Sequence, residues 1–138
     1  IDLYSRRVVG WATHSRQYTD LVLQPLLMAV WRRRPTNKVL IHSDQGSQFT
    51  STEWASFLKH HNLEHSMSRR GNCHDNAVAE SFFNLLKRER IRRRTYKTRE
   101  DARSDVFDYI ERFYNIKRRH STIGYMSPME FEMKAGLA

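Results

Sequence analysis

The sequence predicts one α/β layer domain, and three observations carry that expectation. Strand-type and helix-type segments alternate along the chain. At 138 residues, 39% hydrophobic and 12% aromatic, the chain is of ordinary single-domain size and rich enough to bury a core. There is no internal repeat, low-complexity tract or long linker.

The elements follow in order. Ile1 to Leu3 and Val8 to Ala12 read as the strands of a β-hairpin turned at Ser5-Arg6-Arg7. Thr19 or Asp20 caps a helix running to about Arg34, with Leu23, Leu26, Leu27, Val30 and Trp31 on its buried side. Pro25 removes one backbone donor from that helix, and Pro35 closes the segment. Lys38 to His42 is a short strand of buried type. Thr50-Ser51-Thr52 offers caps for a helix carrying Trp54, Phe57 and Leu58, and Leu63 to Met67 reads as another strand. Trp11, Trp31 and Trp54 suit core positions better than base-stacking ones. Gly71-Asn72 signals a turn, and Asp75 or Asn76 caps a long helix running into the arginine-rich segment near Arg92. Thr98 starts the next helix, with Asp101 at the capping-box position and Ala102, Val106, Tyr109, Ile110 and Phe113 as its apolar stripe. That helix, from Arg99 to Asn115, offers a face for a homodimer. A short helix follows Ser127-Pro128.

Charge narrows the partner. With 24 Lys and Arg against 15 Asp and Glu, the net charge is +9 and the pI about 10.1, which favours a polyanion such as nucleic acid. A single cysteine, Cys73, excludes an internal disulfide and points to a reducing, cytoplasmic setting. His61 and His65 lack the cysteine pair that would complete a zinc site. The longest apolar segment, around Leu21 to Trp31, is too short to span a bilayer, and no signal-peptide pattern opens the chain.

Within "LIHSDQGSQFTS" an apolar strand delivers Asp44 into a loop of small polar residues, where open α/β sheets place their ligands. Glu80, 36 positions later, falls just inside the long helix. At about 100° per residue, Val78, Phe82 and Leu85 share one face of that helix, and Glu80 and Lys87 share the opposite one. Two carboxylates on different elements suit Mg²⁺ or another hard cation, and Lys87 would then hold a phosphate. The plainer alternative makes Asp44 a turn residue and Glu80 a solvated one. From Lys87 to Arg99 stand eight basic residues and one acid, Glu89. Lys87, Arg88, Arg92, Arg93 and Arg94 are the candidate contacts to a DNA backbone, and Asn72, before the helix, is a further one. Lys117, Arg118, Arg119 and His120 form a second cluster.

Three stretches, "HSDQGSQFTS", "SRRGNCHDNAVAESFFNLLKRE" and "YNIKRRHSTIGYMSPMEF", resemble the motifs of OrfB-type bacterial insertion-sequence transposases, whose core is similar to that of retroviral integrase. The 35 residues between Asp44 and Glu80 equal that family's second interval, and Lys87 stands where the family places a DNA-contacting lysine. The resemblance implies an RNase H-like mixed sheet flanked by helices and an Asp-Asp-Glu triad. Asp44 and Glu80 would be its second and third members, binding two Mg²⁺ or Mn²⁺ ions. It implies cleavage of transposon ends and strand transfer to target double-stranded DNA, in a bacterial, nucleoid-associated protein. In the family the first aspartate lies on the strand before "IDLYSRRVVGW"; Asp2 is the only carboxylate near that end, and it matches a family position on the second strand, outside the triad. Residues 1–116 are therefore expected to be an integrase-like core lacking its first strand, and the 138-residue chain is expected to be inactive by itself. Residues 117–138 are expected to be a basic tail with a short helix, packed on the same domain. A DNA-binding remnant without chemistry, or another RNase H-like nuclease, are the competing readings.

Overall fold

Helix α1, Thr19–Arg33, owes its place to Val22, Leu23, Leu26 and Val30, which pack on a cluster of Trp54, Leu58 and Leu63. The computed structural model describes residues 1–13, 19–43, 51–67 and 77–136. The chain divides into two units, one of Val9–Ala77 and one of Ile1–Val8 with Val78–Ala138.

In the first unit, β1 (Val39–Ser43) and β2 (Leu63–Met67) pair in parallel, with Val39 opposite Leu63 and Ser43 opposite Met67. Parallel strands need a crossover, and α2 (Thr52–His60) supplies it. Ser51 caps α2 by accepting from the Trp54 amide at 3.1 Å, as its position predicts. The alternation of strand side chains sends Val39, Ile41 and Leu63 to the helices. Leu40 is on the other face and 63% exposed, so β1 is covered on one side and is not the fully buried strand expected.

The buried face of α1 is also narrower than predicted. Leu27 and Trp31, one turn apart, are exposed, and the Arg34 guanidinium lies 5.9 Å from the Trp31 ring centroid. The α2 and β2 side chains reach only the Val22, Leu23, Leu26 and Val30 side, so Trp31 is not a core residue. Trp54 is, at 3% exposure, and Trp11 is half-buried. The side chains of Thr19 and Asp20, the expected caps, lie outside the described residues.

Gly10 meets α1 at Pro25. A Cβ on Gly10 would sit 1.9 Å from the Pro25 carbonyl oxygen, so only glycine permits this approach. Gly10→Ala is expected to destabilise the protein by about 1–3 kcal/mol, the usual cost of forcing atoms into a packed contact. A urea midpoint unchanged from the parent would show that the chain yields there at no cost.

In the second unit, α3 (Ala77–Glu89) buries Phe82 and Leu86. It ends earlier than predicted, because Arg90 leaves helical geometry and Ile91–Arg93 form a separate 3₁₀ turn. The expected N-caps, Asp75 and Asn76, lie outside the described residues. Thr98 caps α4 (Arg99–Phe107) through the Asp101 amide at 3.1 Å. The next turn, Asp108–Tyr114, is π-helical: the Asn115 and Arg118 amides reach five residues back, to the carbonyls of Ile110 and Phe113. That extra residue shifts the predicted stripe. Tyr109 and Ile110 are buried as expected, but Tyr114 and Asn115 are buried with them, and Phe113 is only half-buried. Much of the face expected to serve a homodimer is thus used inside the unit.

Asn115 explains why the N-terminal hairpin is a turn without strands. Asp2 closes that turn, its amide donating to the Arg7 carbonyl and its carboxylate accepting from the Tyr4 and Ser5 amides. Beyond it, the amide group of Asn115 accepts from the Val8 N–H at 2.9 Å and donates to the Val8 carbonyl at 3.0 Å. One side chain thus replaces the neighbouring strand that Val8 would otherwise need. The last helix, α5 (Pro128–Lys134), is capped by Ser127 and held by Glu132, which is 0% exposed. The Glu132 carboxylate accepts from the Ser5 hydroxyl at 2.8 Å and from Arg7 at 2.9 Å.

Candidate functional site

Of the predicted site residues, Asp44 and Asn72 lie outside the described residues. The strand end that precedes Asp44 is well tied. Ser43, buried at the end of β1, is 2.6 Å from His65 Nε2, and the Trp54 indole N–H donates to His65 Nδ1 at 3.2 Å. Since Nδ1 must accept, the imidazole proton is on Nε2 and His65 donates to Ser43. That arrangement requires neutral histidine, and burial, followed by the charge of His42, lowers the His65 pKa in the same direction.

Glu80 is in the first turn of α3 and exposed, and Lys87 is in its last turn and exposed. Seven residues are close to two turns, so the two side chains lie on one face about 10 Å apart along the axis. Glu89, nine residues after Glu80, points the opposite way. It accepts from the Tyr109 hydroxyl at 2.7 Å and from Arg118 at 3.2 and 3.0 Å. Burial alone would raise the Glu89 carboxyl, but these hydrogen bonds and the Arg118 charge hold it below its usual range. The lone acid of the basic run is therefore a brace.

The run itself divides into two groups. Arg90 and Arg94 both pair with Asp105, at 2.7 and 2.8 Å; Arg90 is sheltered and also reaches Asp108 at 2.9 Å, while Arg94 stays exposed. Lys87, Arg88, Arg92 and Arg93 are exposed and form no ion pair among the described residues. In the second cluster, Arg118 is bound to Glu89 while Lys117 and Arg119 are exposed. Among the described residues no three His, Cys, Asp or Glu side chains gather as a metal cage. No described helix is long and apolar enough to cross a membrane.

Comparison with known proteins decides the family. A model described as "Integrase core domain" matches residues 1–73, and a second of the same description matches residues 80–135. The chain belongs to the integrase core domain family. Within this integrase core, Glu80 is the first residue of the second matched segment. The chain is 45% identical over 132 residues to the transposase for insertion sequence element IS904 of Lactococcus lactis, covering 96% of this chain and 52% of that protein. It is 47% identical over 134 residues to transposase InsF for insertion sequence IS3A of Escherichia coli K12, covering 97% and 46%. It thus spans about half the length of these relatives.

The fold is that of retroviral integrase catalytic cores, an RNase H-like fold. The catalytic core domain of BIV integrase superposes with a TM-score of 0.65 at 21% identity, covering 91% of this chain and 77% of that one. A chain of the simian T-cell lymphotropic virus intasome, in complex with PP2A regulatory subunit B56 gamma, gives 0.64 at 13% identity, covering 86% and 41%.

Asp105, Asp108 and Arg90 were not singled out from the sequence as site residues. The signal was present: Asp105 stands four residues before Tyr109, on the apolar face of a helix that follows a basic run. An acid placed there needs a cationic partner when it is buried.

Proposed function

We propose that this integrase core belongs to an insertion-sequence transposase that cuts transposon DNA ends and joins them to target DNA. The observation that carries the reading is the exposed face of α3 bearing Glu80 and Lys87, which opens the second integrase-core match in a chain 45–47% identical to transposases. Glu80 has no ion pair among the described residues, so its carboxylate is available as a hard oxygen donor, which fits Mg²⁺ or Mn²⁺. Asp44 and Glu80 would hold the metal. Two such ions, when bound, activate an oxygen nucleophile and stabilise the leaving oxygen of a phosphodiester.

The chain's own residues do the rest. Lys87 neutralises a phosphate beside Glu80, and Arg88, Arg92 and Arg93 extend that contact along the duplex backbone. Arg94 contributes less than its neighbours, because Asp105 already holds it. Asn72 would touch DNA before α3. Residues 1–116 form the core, and residues 117–138 pack on it as a basic tail; the Arg118–Glu89 and Arg7–Glu132 pairs, which join the two stretches, support that packing. The setting is the bacterial cytoplasm, at the nucleoid.

Two measurements test the reading. Strand transfer is assayed with the protein at its full encoded length, using labelled transposon ends, target duplex and Mg²⁺ or Mn²⁺; absence of joined product would sink the proposal. Binding to duplex DNA should show little sequence preference and a steep salt dependence. Arg92→Glu with Arg93→Glu should lower the slope of log affinity against log salt by about 2, roughly 0.9 for each lost phosphate contact. An unchanged slope would move the DNA surface elsewhere, with Lys117 and Arg119 next to be tested.

A further inference from the structure

The basic turn of the integrase core is held shut at both ends by a single carboxylate. Arg90 and Arg94 flank the 3₁₀ turn Ile91–Arg93, and both donate Nη1–H to Asp105 Oδ1, at 2.7 and 2.8 Å. The Tyr96 hydroxyl donates to Asp105 Oδ2. Arg90 also donates to Asp108 Oδ2 at 2.9 Å and lies 5.4 Å from the centroid of the Tyr109 ring. The Asp105 side chain is 8% exposed and that of Arg90 14%, so the inner half of this clasp is sheltered from water. Burial alone would raise the Asp105 carboxyl, but hydrogen bonds from Tyr96 and Arg90 and the charges of Arg90 and Arg94 hold it below its usual range. Between the clasped ends, Arg92 and Arg93 are exposed.

We propose that Asp105 is a positioning residue for DNA binding: the Arg90–Asp105–Arg94 clasp fixes the Ile91–Arg93 turn and presents Arg92 and Arg93 as a preformed pair of phosphate contacts. The inference rests on the reading of this surface as a DNA contact. Its physical basis is preorganisation. Arginine side chains are long, and a loose segment must be ordered each time it binds; a segment already held by its flanking residues loses less freedom. A carboxylate beneath a DNA-binding turn also has a local cost, because its charge repels phosphate. Asp105, on α4, binds both residues that flank the turn, and this geometry is what offsets that repulsion.

The two effects have opposite signs, and this makes the test sharp. Asp105→Asn removes a negative charge, so charge alone predicts tighter DNA binding. Positioning predicts weaker binding, by about three- to tenfold, with the salt slope reduced by up to about 2 as the paired phosphate contacts loosen. The measurement uses the full-length protein and a duplex of random sequence across a salt titration, with circular dichroism confirming a native fold. If Asp105→Asn does not fold, Tyr96→Phe provides the second arm: it removes one hydrogen bond from the carboxylate without changing net charge, and affinity should fall about twofold. Equal or tighter binding by whichever of these variants folds overturns the clasp. Arg92→Ala with Arg93→Ala separates the two readings. If that double variant binds as the parent does, the DNA surface itself is misassigned. If it binds weakly, Asp105→Asn added to it should cause no further loss, because there is no longer a pair to position.

Discussion

Glu80→Gln in the full-length protein is expected to lower strand transfer by about a hundredfold or more, while affinity for duplex DNA stays within about twofold. The substitution keeps the shape of the side chain and its place in the first turn of α3. It replaces a charged oxygen donor with a neutral amide, which a hard divalent cation binds poorly. Misplacement of reacting groups by about 1 Å can cost a hundredfold, so loss of one ligand charge should be at least as damaging. DNA affinity is expected to survive because Lys87, Arg88, Arg92 and Arg93 are untouched, and removing a negative charge does not repel phosphate. Asp44→Asn should behave in the same way. Strand transfer and gel-shift measurements on the same preparations check both halves of the expectation. Transfer by Glu80→Gln at the parental rate would remove Glu80 from the metal site, and the solvated-helix reading of that residue would stand.

The second large effect concerns folding. Glu132→Ala is expected to destabilise the protein by about 3–5 kcal/mol, the range seen when one partner of a buried ion pair is removed. Glu132 is 0% exposed, and its two oxygens bind Ser5 and Arg7, which are more than a hundred residues away in sequence. Truncation takes both acceptors away and leaves the Arg7 guanidinium, itself only 22% exposed, without its counter-charge. Glu132→Gln should fall between parent and alanine, because the amide oxygen can still accept from Ser5 while its NH₂ group faces Arg7. Urea denaturation followed by circular dichroism measures the change, and a loss below about 1 kcal/mol for Glu132→Ala would show that Arg7 finds water without penalty.

The sequence by itself determined what depends on a few neighbouring residues. Ser51, Thr98 and Ser127 each accept from the amide three positions on, as predicted, because a helix cap closes within its own turn. The β2 strand and the helix face that separates Phe82 from Glu80 and Lys87 follow from side-chain period alone. The residue spacing that led to Glu80 is likewise a property of the chain.

Tertiary structure decided what depends on a distant partner. Leu27 and Trp31 are as apolar as Leu23 and Val30, yet α2 and β2 cover only one side of α1, and nothing within α1 says which. Val8 belongs to a strand-like segment, but an asparagine more than a hundred residues later satisfies its backbone, so no hairpin forms. The π turn at Asp108–Tyr114 moves burial from Phe113 to Tyr114 and Asn115, and a fixed helical period cannot foresee an inserted residue. The basic run shows the same division. Its charges are plain in the sequence, but which arginines are tied was settled by Asp105, eleven residues beyond Arg94, because only in the folded chain does one buried carboxylate shelter Arg90 and pair with Arg94 at the surface, while Arg92 and Arg93 form no ion pair among the described residues.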